Sequence, residues 1–140
     1  MYPQKTAQLP RGIRNSNPGN IRKNSIRWQG MESVQTDAYF VQFISPIYGF
    51  RAMAKILTKY ASRGLTSVRQ IISIYSPSYE NHTETYISFV AEKLGVPDDQ
   101  PLNIEDNLFP LIKAITTFEN GTKYENYYSD NLIQKGIALA

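Results

Sequence analysis

The chain has 140 residues, 41% apolar and 19% charged, with a net charge of +3, which is the composition of one globular domain with a real hydrophobic core. The absence of cysteine excludes disulfides, thiolate metal sites and a cysteine nucleophile, and a lone histidine, His82, argues against a zinc hydrolase. No apolar run approaches the roughly 18 to 20 residues of a membrane span, and residues 1–5 lack the apolar stretch of a secretory signal, so a substrate outside the cytoplasm requires another delivery route.

Residues 1–10 read as an N-terminal arm, and residues 11–140 as a single domain. The stretch 11–31 is rich in Asn, Gly and Arg, and Asn17-Pro18-Gly19-Asn20 is a turn signal within irregular chain. Residues 1–31 hold Lys5, Arg11, Arg14, Arg22, Lys23 and Arg27 and no acid. Such a segment suits an anionic polymer, nucleic acid or an acidic cell wall, or else a solvated basic surface. The aromatic and β-branched run at residues 38–43 predicts a short strand, paired with a partner near residues 21–28.

Helices follow. Ser45-Pro46 supplies an N-cap and first turn, and Phe50, Met53, Ala54, Leu57 and Tyr60 form the apolar stripe of a helix ended by Gly64. Thr66 caps a second helix with Val68, Ile71, Ile72 and Tyr75 inward, stopped by Pro77. Thr83 starts a third, with Tyr86, Ile87, Val90, Ala91 and Leu94 inward. Residues 107–119 form a fourth with Leu108, Leu111, Ile112, Ile115 and Phe118 inward, and Pro110 fits its first turn. A short fifth begins after Ser129. The fold class is mainly α, an α+β domain with one small β-hairpin.

With thiol and zinc chemistry set aside and no nucleophile-elbow sequence present, hydrolysis falls to carboxylates, with no metal or organic cofactor required. Glycoside cleavage needs a carboxylic acid to protonate the leaving oxygen, usually with a second carboxylate. The acid works best in an apolar setting that raises its pKa. Glu119 fits: it follows Phe118 at the C-terminal end of a helix, whose dipole also opposes ionisation. Asp37, before the predicted strand, is the best second carboxylate; Glu32 is weaker, and Glu80 reads as a helix-start residue. His82 reads as a surface or capping residue. Trp28 and the surrounding asparagines, Asn20 among them, are suitable parts for a sugar groove, whereas Tyr60, Tyr75 and Tyr86 read first as core.

The run Arg11-Gly12-Ile13-Arg14-Asn15-Ser16-Asn17-Pro18-Gly19-Asn20-Ile21-Arg22, followed by Trp28-Gln29-Gly30, resembles a family of small bacteriophage and prophage proteins. Its members are described as virion structural or lysozyme-like muralytic proteins. The resemblance continues through Tyr48-Gly49-Phe50-Arg51, Tyr75-Ser76-Pro77, Glu80-Asn81-His82-Thr83 with Tyr86, and Glu119-Asn120-Gly121. It implies a lysozyme-like domain acting on bacterial peptidoglycan as a muramidase, glucosaminidase or lytic transglycosylase. It also implies other virion, tail or secretion-apparatus proteins as partners, and a place in the virion or in the host cytoplasm before delivery to the wall. A looser resemblance to glucosaminidases, in which the acid-bearing helix precedes an Asn-rich segment and a Trp-x-Gly hairpin, implies a circular permutation here. That order predicts that Glu119 packs against residues 15–30 and faces a groove. Glu119 is then the general acid, Asp37 the second catalytic carboxylate, and Asn20, Trp28, Asn81 and Tyr86 the substrate-binding candidates. The rivals are a non-catalytic virion or wall-binding protein, an exported toxic effector, and a nucleic-acid-binding module. Prolines and turns among the bases, with no recognition-helix pattern, argue against nucleic acid.

Overall fold

The computed structural model describes residues 8–77 and 80–140, apart from the side chains of Glu80 and Asn81. The fold is mainly helical, with helices α1 (Arg11–Arg14), α2 (Pro46–Ser62), α3 (Val68–Tyr75), α4 (Glu80–Leu94), α5 (Ile104–Asn120) and α6 (Asp130–Ala138). Among the described residues no helix is long and apolar enough to cross a membrane.

Local chemistry sets the helix ends. Ser45 accepts a hydrogen bond from the Ile47 amide ahead of Pro46, and Gly64, at φ +80°, follows the end of α2. For α3 the cap is Ser67, one residue after the expected Thr66, because Gln70 closes a reciprocal capping box with it. Helix α4 starts at Glu80, ahead of the expected Thr83, whose hydroxyl donates instead to the Ser76 carbonyl at 2.9 Å. Helix α5 begins at Ile104, so Pro110 lies in its interior and not in its first turn. Asn103 caps that early start, Glu105 and Asp106 complement the helix dipole, and Ile104 and Leu108 bury. These gains offset the amide that Pro110 lacks.

Helix α5 is the centre of the packing, touching α1, α2, α4 and α6, while α3 lies against α4. Phe50, Met53, Leu57, Ile71, Ile72, Tyr86, Ile87, Leu111, Ile112 and Ile115 are fully buried. Each large apolar side chain so removed from water stabilises the fold by roughly 1.5–3 kcal/mol before entropy is charged. Helices α2 and α6 approach closely because Gly136 has no side chain: a Cβ there would stand 2.5 Å from Phe50 Cβ and 2.8 Å from the Ile47 carbonyl.

The expected hairpin does not form. Residues 38–43 meet the earlier segment at isolated antiparallel bridges, Arg22 with Phe40 and Met31 with Phe43. Around the first, the Val41 amide donates to the Ile21 carbonyl at 3.0 Å and the Lys23 amide to the Tyr39 carbonyl at 2.8 Å. Side-chain amides interrupt the ladder beyond these bonds. Asn17 Nδ2 donates to the Ile21 and Val41 carbonyls, both at 2.9 Å, while its Oδ1 accepts from the Ile21 amide at 2.9 Å. Gln35 Oε1 likewise accepts from the Gln42 amide at 2.8 Å. Asn17 thus sits between the Ile21 amide and the Val41 carbonyl, whose direct bond would have continued the ladder.

Candidate functional site

The turn 17–20 is closed by the Asn20 amide donating to the Asn17 carbonyl at 3.0 Å. Three contacts fix it in space. Asn120, the last residue of α5, donates to the Pro18 carbonyl at 2.9 Å. Tyr75, the last residue of α3, donates to the Gly19 carbonyl at 2.6 Å. Gly19 itself packs so closely against Tyr75 and Met53 that a Cβ there would force those side chains to shift. Helix α1 tucks under the same turn: a Cβ at Gly12 would stand 2.6 Å from Asn120 Oδ1 and 3.0 Å from Asn20 Oδ1.

Glu119 packs against this turn, as expected from the sequence. Its Oε1 accepts from Asn20 Nδ2 at 2.9 Å, and its Oε2 from the Tyr86 hydroxyl at 2.8 Å. Asn20 takes the left-handed conformation, φ +50°, which asparagine tolerates better than most residues. Tyr86 is fully buried and stacks on Phe118, ring centroids 3.9 Å apart, so its hydroxyl is held rigidly behind the carboxyl. Burial pushes the Glu119 carboxyl above the usual 4.5, against the hydrogen bonds from Asn20 and Tyr86 and the nearby His82 and Arg22, which favour the charged form. The carboxyl therefore keeps its proton to higher pH than an exposed glutamate.

Removing the phenolic donor shifts this balance in a defined direction. Tyr86→Phe leaves Oε2 without the hydrogen bond that stabilises the carboxylate, so the Glu119 titration midpoint rises further. A ¹³C NMR titration of the Glu119 carboxyl measures it, and an unmoved midpoint would show that the phenol does not hold the charge.

Glu119 opens onto a groove of about 520 Å³. One wall is Asn20, Ile21, Arg22, Asn24 and Phe40; the other is Ile56 and Tyr60 of α2, the α3 end from Ile74 to Pro77, and His82 of α4. Glu119 is the one acidic side chain among the described residues that line it. Amide, hydroxyl, imidazole and guanidinium groups thus alternate with aromatic and aliphatic faces around a single shielded acid.

The other candidates are placed differently. Asp37 does not line the groove. Its carboxylate accepts from the Tyr39 amide at 2.9 Å, the Phe40 amide at 3.0 Å and Asn15 Nδ2 at 3.0 Å, and Arg11 lies 3.7 Å away. The Tyr39 amide foremost, with Asn15 and Phe40, holds its pKa down at about 2. That is the geometry of a turn-capping carboxylate, and the structure does not bring the expected second catalytic acid together with Glu119 in the groove. Trp28 is half-buried against the core and does not line the groove either; it anchors the loop. Tyr86 sits behind Glu119 and not on the groove surface, which makes it a positioning residue for the carboxyl. Asn81 lies in the first turn of α4, with its side chain outside the described residues.

Several groove residues were not singled out from sequence. Tyr75 reads as core by helical spacing, yet its hydroxyl fastens the turn while its ring lines the groove. Its place at a helix end beside Ser76-Pro77 is the signal that distinguishes it from a mid-helix core tyrosine. His82, expected as a surface or capping residue, is exposed and presents its ring to Phe118 at 5.6 Å on the groove wall.

No family model matches the chain. It is 41% identical to "Protein P5" of Pseudoalteromonas phage PM2 over 142 aligned positions, covering 98% of this chain and 86% of that protein. Identity at that level over nearly the whole chain means that the chain belongs to the family of the PM2 phage protein P5.

Proposed function

We propose that the chain is a lysozyme-like, circularly permuted glycosidase that cleaves the β-1,4 links of bacterial peptidoglycan, with Glu119 as general acid. The observation that carries this reading is the Glu119 carboxyl itself: shielded, raised in pKa by burial, oriented by Asn20 and Tyr86, and open to a groove. A protonated acid in that setting donates to the glycosidic oxygen as the bond breaks and positive charge develops on the sugar. Without a second carboxylate on the described groove surface, the lone acid favours transglycosylation. Glu119, having lost its proton, takes one back from the sugar's own C6 hydroxyl as that oxygen closes on the anomeric carbon. The product is an anhydro sugar end.

The phage relative also suits a virion protein that binds the wall without cutting it, and one experiment separates the two. Purified peptidoglycan is incubated with the protein, loss of turbidity is followed, and released fragments are weighed by mass spectrometry. Clearing with anhydro ends is the expected result. Clearing with reducing ends keeps the glycosidase and removes the transglycosylation step; no clearing and no fragments leave the binder.

A further inference from the structure

The bases of the N-terminal segment are engaged unequally. Arg11 pairs with Asp37, Arg14 donates to the Leu9 carbonyl at 2.8 Å, and Lys23 donates to the Asp37 carbonyl at 2.8 Å. Among the described residues, Arg22 has no such oxygen partner within hydrogen-bond distance. It is exposed, lines the groove that holds Glu119, and lies over the Phe40 ring at 4.9 Å from its centroid. Phe40 is flanked by a second cation, Arg11, at 5.3 Å. The ring gives the Arg22 side chain a platform and limits its rotamers, while the guanidinium fork faces the groove with no bidentate partner among the described residues. Because the groove's only described acid is the shielded Glu119, an incoming anion meets little repulsion. Arginine so placed recognises carboxylate or phosphate, and charge-assisted bonds of that kind are the strong ones.

We propose that Arg22 is a specificity-determining residue that engages a carboxylate carried on the 3-position branch of the glycan, either the lactyl carboxylate of a bare strand or a carboxylate of the attached peptide. The proposal rests on the glycan-groove reading above and does not depend on Glu119 cutting. Arg22 thereby distinguishes wall glycan from a neutral amino-sugar polymer of the same backbone.

The test measures binding with cleavage removed. Glu119→Gln and Glu119→Gln/Arg22→Gln are titrated calorimetrically with three tetrasaccharides: neutral chitotetraose, a peptide-stripped wall fragment and a peptide-bearing one. Loss of Arg22 is expected to weaken a carboxylate-bearing ligand about tenfold relative to chitotetraose. Weakening of both charged ligands assigns the lactyl carboxylate; weakening of the peptide-bearing ligand alone assigns the peptide. Arg22→Lys, which keeps the charge without the fork, is expected to recover part of the loss. Equal weakening of all three ligands, or none, overturns the proposal. Failure of Glu119→Gln to bind any of the three is a different result, and it removes the glycan reading together with the role of Arg22.

Discussion

Glu119→Gln is expected to abolish glycan cleavage while the protein stays folded and becomes more stable at neutral pH. Glutamine keeps the volume and the Asn20 hydrogen bond, and the Tyr86 hydroxyl turns to accept from the new amide. The transferable proton is gone, and loss of a general acid costs on the order of a thousandfold in rate. Stability moves the other way for a linkage reason. The native carboxyl has its pKa raised above the unfolded value near 4.5, so the native state binds the proton more tightly than the unfolded chain. Its stabilising contribution is full below that unfolded value and is lost as pH rises through the higher folded value. Above that window the wild type holds an ionised, desolvated carboxylate, and glutamine relieves it. Thermal melts of both proteins from pH 4 to pH 8 should coincide at the acid end and diverge upward for the variant. A variant that clears peptidoglycan at the wild-type rate would remove Glu119 from the chemistry, and melts that stay parallel would contradict its shielding.

The helical scaffold was legible because its signals are local. Ser45-Pro46, Gly64 and Ser129 mark ends through capping chemistry that acts within a turn, and the apolar stripes of α2, α3 and α5 bury as their spacing requires. Helix α1 was not legible, since four residues make too short a window for any periodicity. The start of α5 was misjudged because Pro110 normally marks a first turn, and its tolerance depends on the Asn103 cap and on burial that no window displays. The predicted hairpin failed for a different reason. Residues 38–43 have strand composition, but the Asn17 side chain takes the Ile21 amide and the Val41 carbonyl, and Gln35 takes the Gln42 amide, so the backbone pairing stops at isolated bridges. For the site, Glu119 was legible as an acid beside an aromatic at a helix end. Its contact with Asn20 followed only from comparing segment order with another family. The placement of Asp37 outside the groove was not legible, because a carboxylate preceding a strand looks the same in sequence whether it faces a groove or caps its own turn.

That long-range clamp supports the remaining large effect. Asn17 is fully buried and makes three hydrogen bonds to the backbone of Ile21 and Val41. Asn17→Ala leaves the Ile21 amide and the Val41 carbonyl to find other partners in a dry interior, while the Ile21 carbonyl keeps the Val41 amide. A buried unsatisfied polar group costs roughly 1–3 kcal/mol, and partial relaxation around the two brings the expected loss to about 3 kcal/mol. Urea unfolding should show it as a lower midpoint with an unchanged slope. The effect should also reach the site. The Asn17 carbonyl receives the Asn20 amide, and Asn20 in turn holds Glu119 Oε1. Loosening the clamp therefore frees the residue that orients the acid. The Glu119 titration midpoint is expected to move under conditions where the variant is still fully folded. A loss below about 1 kcal/mol would mean that solvent enters the turn and satisfies those groups. The loop would then owe its shape to Asn120 and Tyr75, which fasten it from α5 and α3.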